Sequence, residues 1–135
     1  PIEKRWDIEV VNGFNIINDS YNSNPESVKA ALKTFLNHTP SPKIVVLGDM
    51  GELGLNEEEY HKETGIFLEK FECDYVLTTG NLAKYIQPKN LKTIHFETKK
   101  ELVDFIKNNL PKGANFLLKA SRFMKFEEII EELKK

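Results

Sequence analysis

Apolar and polar residues alternate through "WDIEVVNGFNII" on both sides of Asn12-Gly13. That dipeptide best tolerates the positive φ angles of a two-residue hairpin turn, so the chain is expected to open with an antiparallel hairpin. From Val28 the period changes, and Val28, Ala31, Leu32, Phe35 and Leu36 recur at helical spacing behind Asn24 as N-cap and Pro25 in the first turn. Ile44 to Leu47 is a short, β-branched apolar run, the mark of a strand buried on both faces. The glycine-containing loop "GDMGELGLN" follows, and Asn56 then stands ready to cap a second helix whose first turn, Glu57 to Glu59, suits the helix dipole. Its inner face is predicted as Tyr60, Thr64, Phe67, Leu68 and Phe71.

The rhythm then repeats. It predicts a strand at Tyr75 to Thr78, a short helix near Leu82 to Ile86, and a strand around Thr93 to Phe96. The capping box Thr98 to Glu101 opens a helix that buries Leu102, Val103, Ile106 and Leu110. Strand Phe116 to Lys119 and a last helix carrying Phe126, Ile129, Ile130 and Leu133 complete the pattern. Strands alternating with helices predict an α/β fold: a three-layer, Rossmann-like domain with a mainly parallel sheet and an N-terminal antiparallel hairpin. A chain of 135 residues, 40% hydrophobic, supplies the core of one such domain and not of two, so residues 1–135 read as a single domain.

Charge and cysteine content narrow the partners. With 19 Lys plus Arg against 21 Asp plus Glu, no field of one sign is available for nucleic acid or an anionic membrane, and neither is expected. Cys73 is the only cysteine, which excludes a disulfide framework or a cysteine metal site and fits a reducing compartment. No signal-peptide pattern opens the chain, and no apolar run approaches the roughly 20 residues of a membrane span. The expectation is a cytoplasmic protein.

In open sheets of this kind ligands bind beyond the carboxyl ends of the strands. The polar residues expected there are Asp19, Ser20, Asn22 and Asn24, then Asp49 and Glu52, then Thr78, Thr79 and Asn81, and finally Lys119, Ser121 and Arg122. Asn24 is also explained by capping alone, and Asp19 and Ser20 by turn formation. Asp49, a strand-end acid between apolar residues and a glycine, needs a partner. His61, on an amphipathic helix beside Tyr60, reads first as a packed or surface side chain and second as a catalyst. Lys119, Ser121 and Arg122 offer cations and a hydroxyl suited to phosphate or carboxylate. Neither a G-x-x-x-x-G-K-[ST] loop nor a G-x-G-x-x-G after the first strand is present, so a nucleotide's phosphates would be held mainly elsewhere.

Taken together, "DSYNSNP" (Asp19 to Pro25), "VVLGDMGELG" (Val45 to Gly54), His61 with Gly65, and "LKASR" (Leu118 to Arg122) with Glu127 resemble the C-terminal domain of the Mur ligases. The first two elements are most similar to the branch that adds D-alanyl-D-alanine to UDP-N-acetylmuramoyl-tripeptide. The resemblance implies a three-domain, ATP- and Mg2+-dependent ligase of peptidoglycan synthesis, whose N-terminal and central ATP-binding domains are absent from this sequence. In that family a peptide carboxylate is activated as an acyl phosphate and attacked by the incoming amine. By position, Arg5, Asp19, Asn22 and Asn24 would contact nucleotide, and Asp49, Met50, Glu52, Leu53, His61, Lys119, Ser121 and Arg122 the substrates. Asp49, Glu52 and His61 all remain open as general base, and no metal site is expected on this domain. The isolated domain should not ligate. Three positions depart from the family pattern: Lys4 and Ala120 stand for glycines and Phe126 for a methionine. The Cβ of Ala120 is expected to restrict the approach of backbone to a ligand.

Two other classes share some of these features. A phosphoacceptor receiver domain also has strand-end acids, a threonine and a lysine, here Asp19, Asp49, Thr78 and Lys119, but it starts with a parallel strand and pairs two acids after it. A non-catalytic module could bind small anions or partners through the same rim.

Overall fold

Asn12 and Gly13 take φ angles of 49° and 84°, the pair of left-handed conformations that a type I′ turn demands. They join β1 (Ile8–Val11) to β2 (Phe14–Asn18) in an antiparallel pair with Val11 opposite Phe14. The computed structural model describes residues 6–135, so Lys4 and Arg5 lie outside the described residues.

After β2 come α1 (Pro25–His38), β3 (Lys43–Leu47), α2 (Glu57–Leu68), β4 (Tyr75–Thr79), β5 (Thr93–Phe96), α3 (Lys99–Asn109), β6 (Asn115–Lys119) and α4 (Glu127–Lys134). The sheet has the order β1-β2-β6-β3-β4-β5, and every pair except β1 with β2 is parallel. Strand β3 is central and hidden on both sides, which is why Ile44 to Leu47 is continuously apolar. Alternate residues feed two cores. Ile44, Val46, Phe116 and Leu118 pack with α3 and α4, whereas Val45, Leu47, Val76 and Leu117 pack with α1 and α2. The expected three-layer α/β arrangement with its antiparallel edge is what forms.

Local signals hold in most places and shift in a few. Asn24 and Ser27 make the reciprocal capping box of α1, each side chain accepting from the other's backbone N–H at 2.9 and 3.1 Å. At α3, Thr98 accepts from the Glu101 N–H, but the Glu101 carboxylate accepts from the Thr98 hydroxyl at 3.0 Å rather than from backbone. Asn56 gives α2 no side-chain cap, and the segment near Leu82 is a single 3₁₀ turn, Ala83–Tyr85.

The largest correction concerns the inner face of α2. It is His61, Thr64, Gly65 and Leu68 that are buried, while Tyr60 and Phe67 are half-buried and Phe71 lies beyond the helix. The helix presses so closely on the chain at Gln87 that a Cβ on Gly65 would come within 2.7 Å of the Gln87 backbone nitrogen. A glycine at the tightest point turns the helix away from the face its large side chains suggest.

Gly65→Ala is therefore expected to destabilise the fold by about 1–2 kcal/mol, against the gain of about 1 kcal/mol that helix propensity alone would give. The midpoint of urea unfolding reads the sign directly. Cys73 lies just before β4, where burial pushes its thiol up to about 11 from 9.0 while the Sγ–H donates to the Tyr75 carbonyl at 3.1 Å. At pH 8 the folded chain should hold roughly a hundredfold less thiolate than the unfolded one and react with iodoacetamide correspondingly more slowly.

Candidate functional site

Three loops meet beyond the carboxyl ends of β2, β6 and β3. The first is the run Asn18 to Asn24. Its start is tied locally, since the Asn18 side-chain oxygen accepts from both the backbone and the hydroxyl of Ser20. Its middle is held from below by Lys119, the last residue of β6, which is 2% exposed. The Lys119 ammonium donates to the Asn22 carbonyl at 2.6 Å and lies 3.3 Å from an Asp19 carboxylate oxygen.

The second loop follows β3 and is fixed more tightly still. Asp49 Oδ1 accepts from the backbone N–H groups of Leu82 and Ala83 at 2.9 and 2.7 Å, so the acid caps the turn after β4. Gly80, with φ 123°, has no Cβ where that carboxylate lies. The Asp49 carbonyl accepts from the Ser121 N–H at 3.0 Å and from its hydroxyl at 2.8 Å. One residue on, the Met50 N–H donates to His61 Nε2 at 3.0 Å, and His61 Nδ1 lies 2.6 Å from the Glu57 carbonyl. An Nε2 that accepts from an N–H bears no proton, so the proton is on Nδ1 and donates to Glu57.

Above this framework opens a cleft of about 430 Å³, lined by Tyr21, Asn22, Ser23, Asn24, Gly51, Glu52, Leu53, Ser121, Arg122 and Phe123. Glu52 holds its carboxylate on a left-handed backbone, φ 56°, an uncommon conformation for a residue with a side chain. The Arg122 guanidinium stacks over the Tyr21 ring at 4.8 Å, which costs little desolvation and fixes its plane. Both of these residues also line a smaller cleft of about 260 Å³ with Asn18, Ser20 and Glu127.

Of the expected site residues, Asn22, Asn24, Glu52, Leu53, Ser121 and Arg122 share the larger cleft. Asp19, Asp49, His61 and Lys119 stand behind it, bonded to the loops that form it. Met50 departs from expectation: its side chain is buried, at 2% exposure, in the core between α1 and α2. Arg5 lies outside the described residues. Thr78, Thr79 and Asn81 do not reach the cleft, and the Thr78 hydroxyl instead lies 2.8 Å from His95 Nδ1 in a separate cavity. The receiver arrangement is thereby absent, since β1 is antiparallel and Thr78 is remote from Asp19.

Sequence reasoning missed Tyr21, Ser23 and Phe123. Tyr21 and Phe123 are exposed aromatics inside otherwise polar segments, a break in pattern that was available as a signal. The alanine at 120 does not intrude on the cleft. Its Cβ points into the core, 2.8 Å from where a Cβ on Gly48 would lie, so the absent side chain at Gly48 provides its room. Among the described residues no three His, Cys, Asp or Glu side chains converge to hold a metal ion, and no helix is long and apolar enough to cross a membrane.

Comparison with known proteins agrees with this picture. Residues 4–122 match the family model described as "Mur ligase, glutamate ligase domain". Two UDP-N-acetylmuramoyl-tripeptide--D-alanyl-D-alanine ligases are similar over 93% and 94% of the chain: that of Bacillus subtilis (strain 168) at 42% identity and that of Haemophilus influenzae at 33%. The chain spans only 29% of the length of either relative. Among solved structures, a ligase from Thermotoga maritima in complex with ADP superposes with a TM-score of 0.81 at 26% identity, covering 99% of this chain and 31% of that one. A homologous ligase from Acinetobacter baumannii gives 0.81 at 28% identity, covering 99% and 30%.

Lys119→Met should cost about 2–3 kcal/mol, since it takes a buried cation from beside Asp19 and from the Asn22 carbonyl. Hydrogen exchange should then quicken at the amides of residues 20–24 before it changes in the sheet.

Proposed function

The chain belongs to the Mur ligase family, and from that premise we propose that it is the C-terminal domain of an ATP-dependent ligase that joins D-alanyl-D-alanine to UDP-N-acetylmuramoyl-tripeptide in the cytoplasm, during synthesis of peptidoglycan precursors. The observation that carries the reading is the cleft, which sets the Glu52 carboxylate and the Arg122 guanidinium on different loops around one opening. A free dipeptide is a zwitterion with an ammonium at one end and a carboxylate at the other, and those two groups are what such lips recognise. Leu53 and Phe123 supply apolar wall for small side chains.

In this reading Glu52 receives the ammonium and is the cleft carboxylate available to take the proton that the attacking amine must lose. Arg122, held flat on Tyr21, takes the dipeptide carboxylate or the acceptor peptide. Asp49, His61 and Lys119 act through the backbone they hold. Asn22 and Asn24 present side chains toward a nucleotide bound chiefly by a central domain of the same longer protein, with Asp19 and Arg5 assigned to the nucleotide by family resemblance. ATP, when bound, supplies the phosphoryl group that activates the acceptor carboxylate. The described residues do not by themselves fit a Mg2+ site, and the ion is assigned to the central domain. Closure of that domain over the open cleft would keep water from the activated acid.

The test is steady-state kinetics in the full-length ligase that carries this domain. Arg5→Ala or Asp19→Ala should abolish ligation, while Glu52→Gln and Arg122→Ala should each raise KM for the dipeptide by about 10–100-fold, with kcat falling as well in the Glu52 variant. Near-normal turnover in the first pair, or unchanged dipeptide KM in the second, would overturn the assignment.

A further inference from the structure

The imidazole of His61 is fully buried and touches no cleft, yet both of its nitrogens are committed. One is bonded to the first turn of its own helix at Glu57, and the other reaches back eleven residues to the backbone of Met50. It therefore closes a ring: β3 leaves through Gly48, Asp49 and Met50, the chain passes Gly51 to Leu53 along the cleft, makes the 3₁₀ turn Gly54–Asn56, and returns in α2 to His61. Among the described residues no hydrogen bond outside the regular elements ties Gly51 or Glu52, and Leu53 is held only as the start of the 3₁₀ turn. The Met50 anchor is thus the last fixed point before the cleft-lining span, and Glu52 in that span keeps a left-handed backbone. Such a conformation is uncommon for a residue with a side chain and persists only where its flanks are over-determined.

We propose that His61 is a positioning residue for the cleft: its neutral imidazole, bonded to Glu57 and Met50, fixes the backbone register of Gly51 to Leu53 and with it the place of the Glu52 carboxylate. That the carboxylate so placed serves the incoming amine rests on the function proposed above; the anchor itself does not. A buried histidine that only filled space would need neither the Nδ1–H tautomer nor an acceptor at Nε2. The two amide substitutes separate the roles. Gln places an acceptor oxygen near the position of Nε2, whereas Asn keeps a donor near Nδ1 and leaves the Met50 N–H without its acceptor.

The experiment has two arms. In the isotopically labelled chain, nitrogen NMR should show His61 as the Nδ1–H tautomer, with an unprotonated Nε2 coupled to the Met50 amide. His61→Asn should speed exchange of that amide by about tenfold or more and move the Gly51, Glu52 and Leu53 resonances, while His61→Gln preserves them. In the full-length ligase, His61→Asn should raise KM for D-alanyl-D-alanine by about tenfold and lower kcat, while the KM for ATP stays within about threefold, and His61→Gln should restore both dipeptide KM and kcat. An Nε2–H tautomer, unmoved Gly51 to Leu53 signals in a folded His61→Asn variant, or a Gln variant as impaired as the Asn one would overturn the proposal. Absence of ligation by the wild-type ligase would count against the proposed function alone, because the resonances decide the anchor independently.

Discussion

Two sides of the binding face are fixed to the sheet by one buried acid. Asp49 leaves the central strand at the point where three loops must agree on their positions, and it bonds two of them to its own. Its carboxylate exchanges water for two backbone N–H groups that would otherwise be orphans of a short turn, and its carbonyl takes both donors of Ser121. A carboxylate accepting two backbone bonds in a nearly closed site is stabilised by fixed dipoles, which do not reorganise as exposed side chains do. Rigidity at the rim is therefore inherited from the strand that is itself most enclosed.

The site consequently has a division of labour. Groups that carry charge in the interior direct it at backbone, Asp49 at the turn after β4 and Lys119 at the loop after β2, and Lys119 also faces Asp19. The polar residues around the opening are two asparagines, two serines, one acid and one arginine, with Tyr21 and Phe123 between them. An arrangement of that kind binds through geometry that exists before the ligand arrives, which limits the ordering cost of association.

The fold was legible because its signals are local. Asn12-Gly13 dictates a turn by φ angles alone, and a run such as Ile44 to Leu47 has only one comfortable place, the middle of a sheet. The inner face of α2 was not legible, because Gly65 acts through the backbone of Gln87, which only tertiary packing brings near. The residue types of the site were readable for the same reason that their jobs were not. Asp49, His61 and Lys119 stood out as polar residues in apolar settings, but most of their partners lie far away in sequence, and nothing in the spacing says whether a buried acid faces a ligand or an N–H. Tyr21 and Phe123 escaped notice because periodicity reports burial and says nothing of aromatic rings that stay outside.

Two oddities of the chain, Ala120 and Phe126, meet at a single point against Gly48. The ring of Phe126 and the methyl of Ala120 both stand within 3 Å of the position a Cβ on Gly48 would take. The three residues share one allotment of volume, so their tolerances are not independent. A side chain could enter at 48 only in a background where 120 had given up its methyl and 126 had exchanged its ring for something that bends. Substitutions here are therefore ordered in time: the route by which a lineage or a library reaches a new combination matters as much as the combination, and single changes tested one by one would misjudge it.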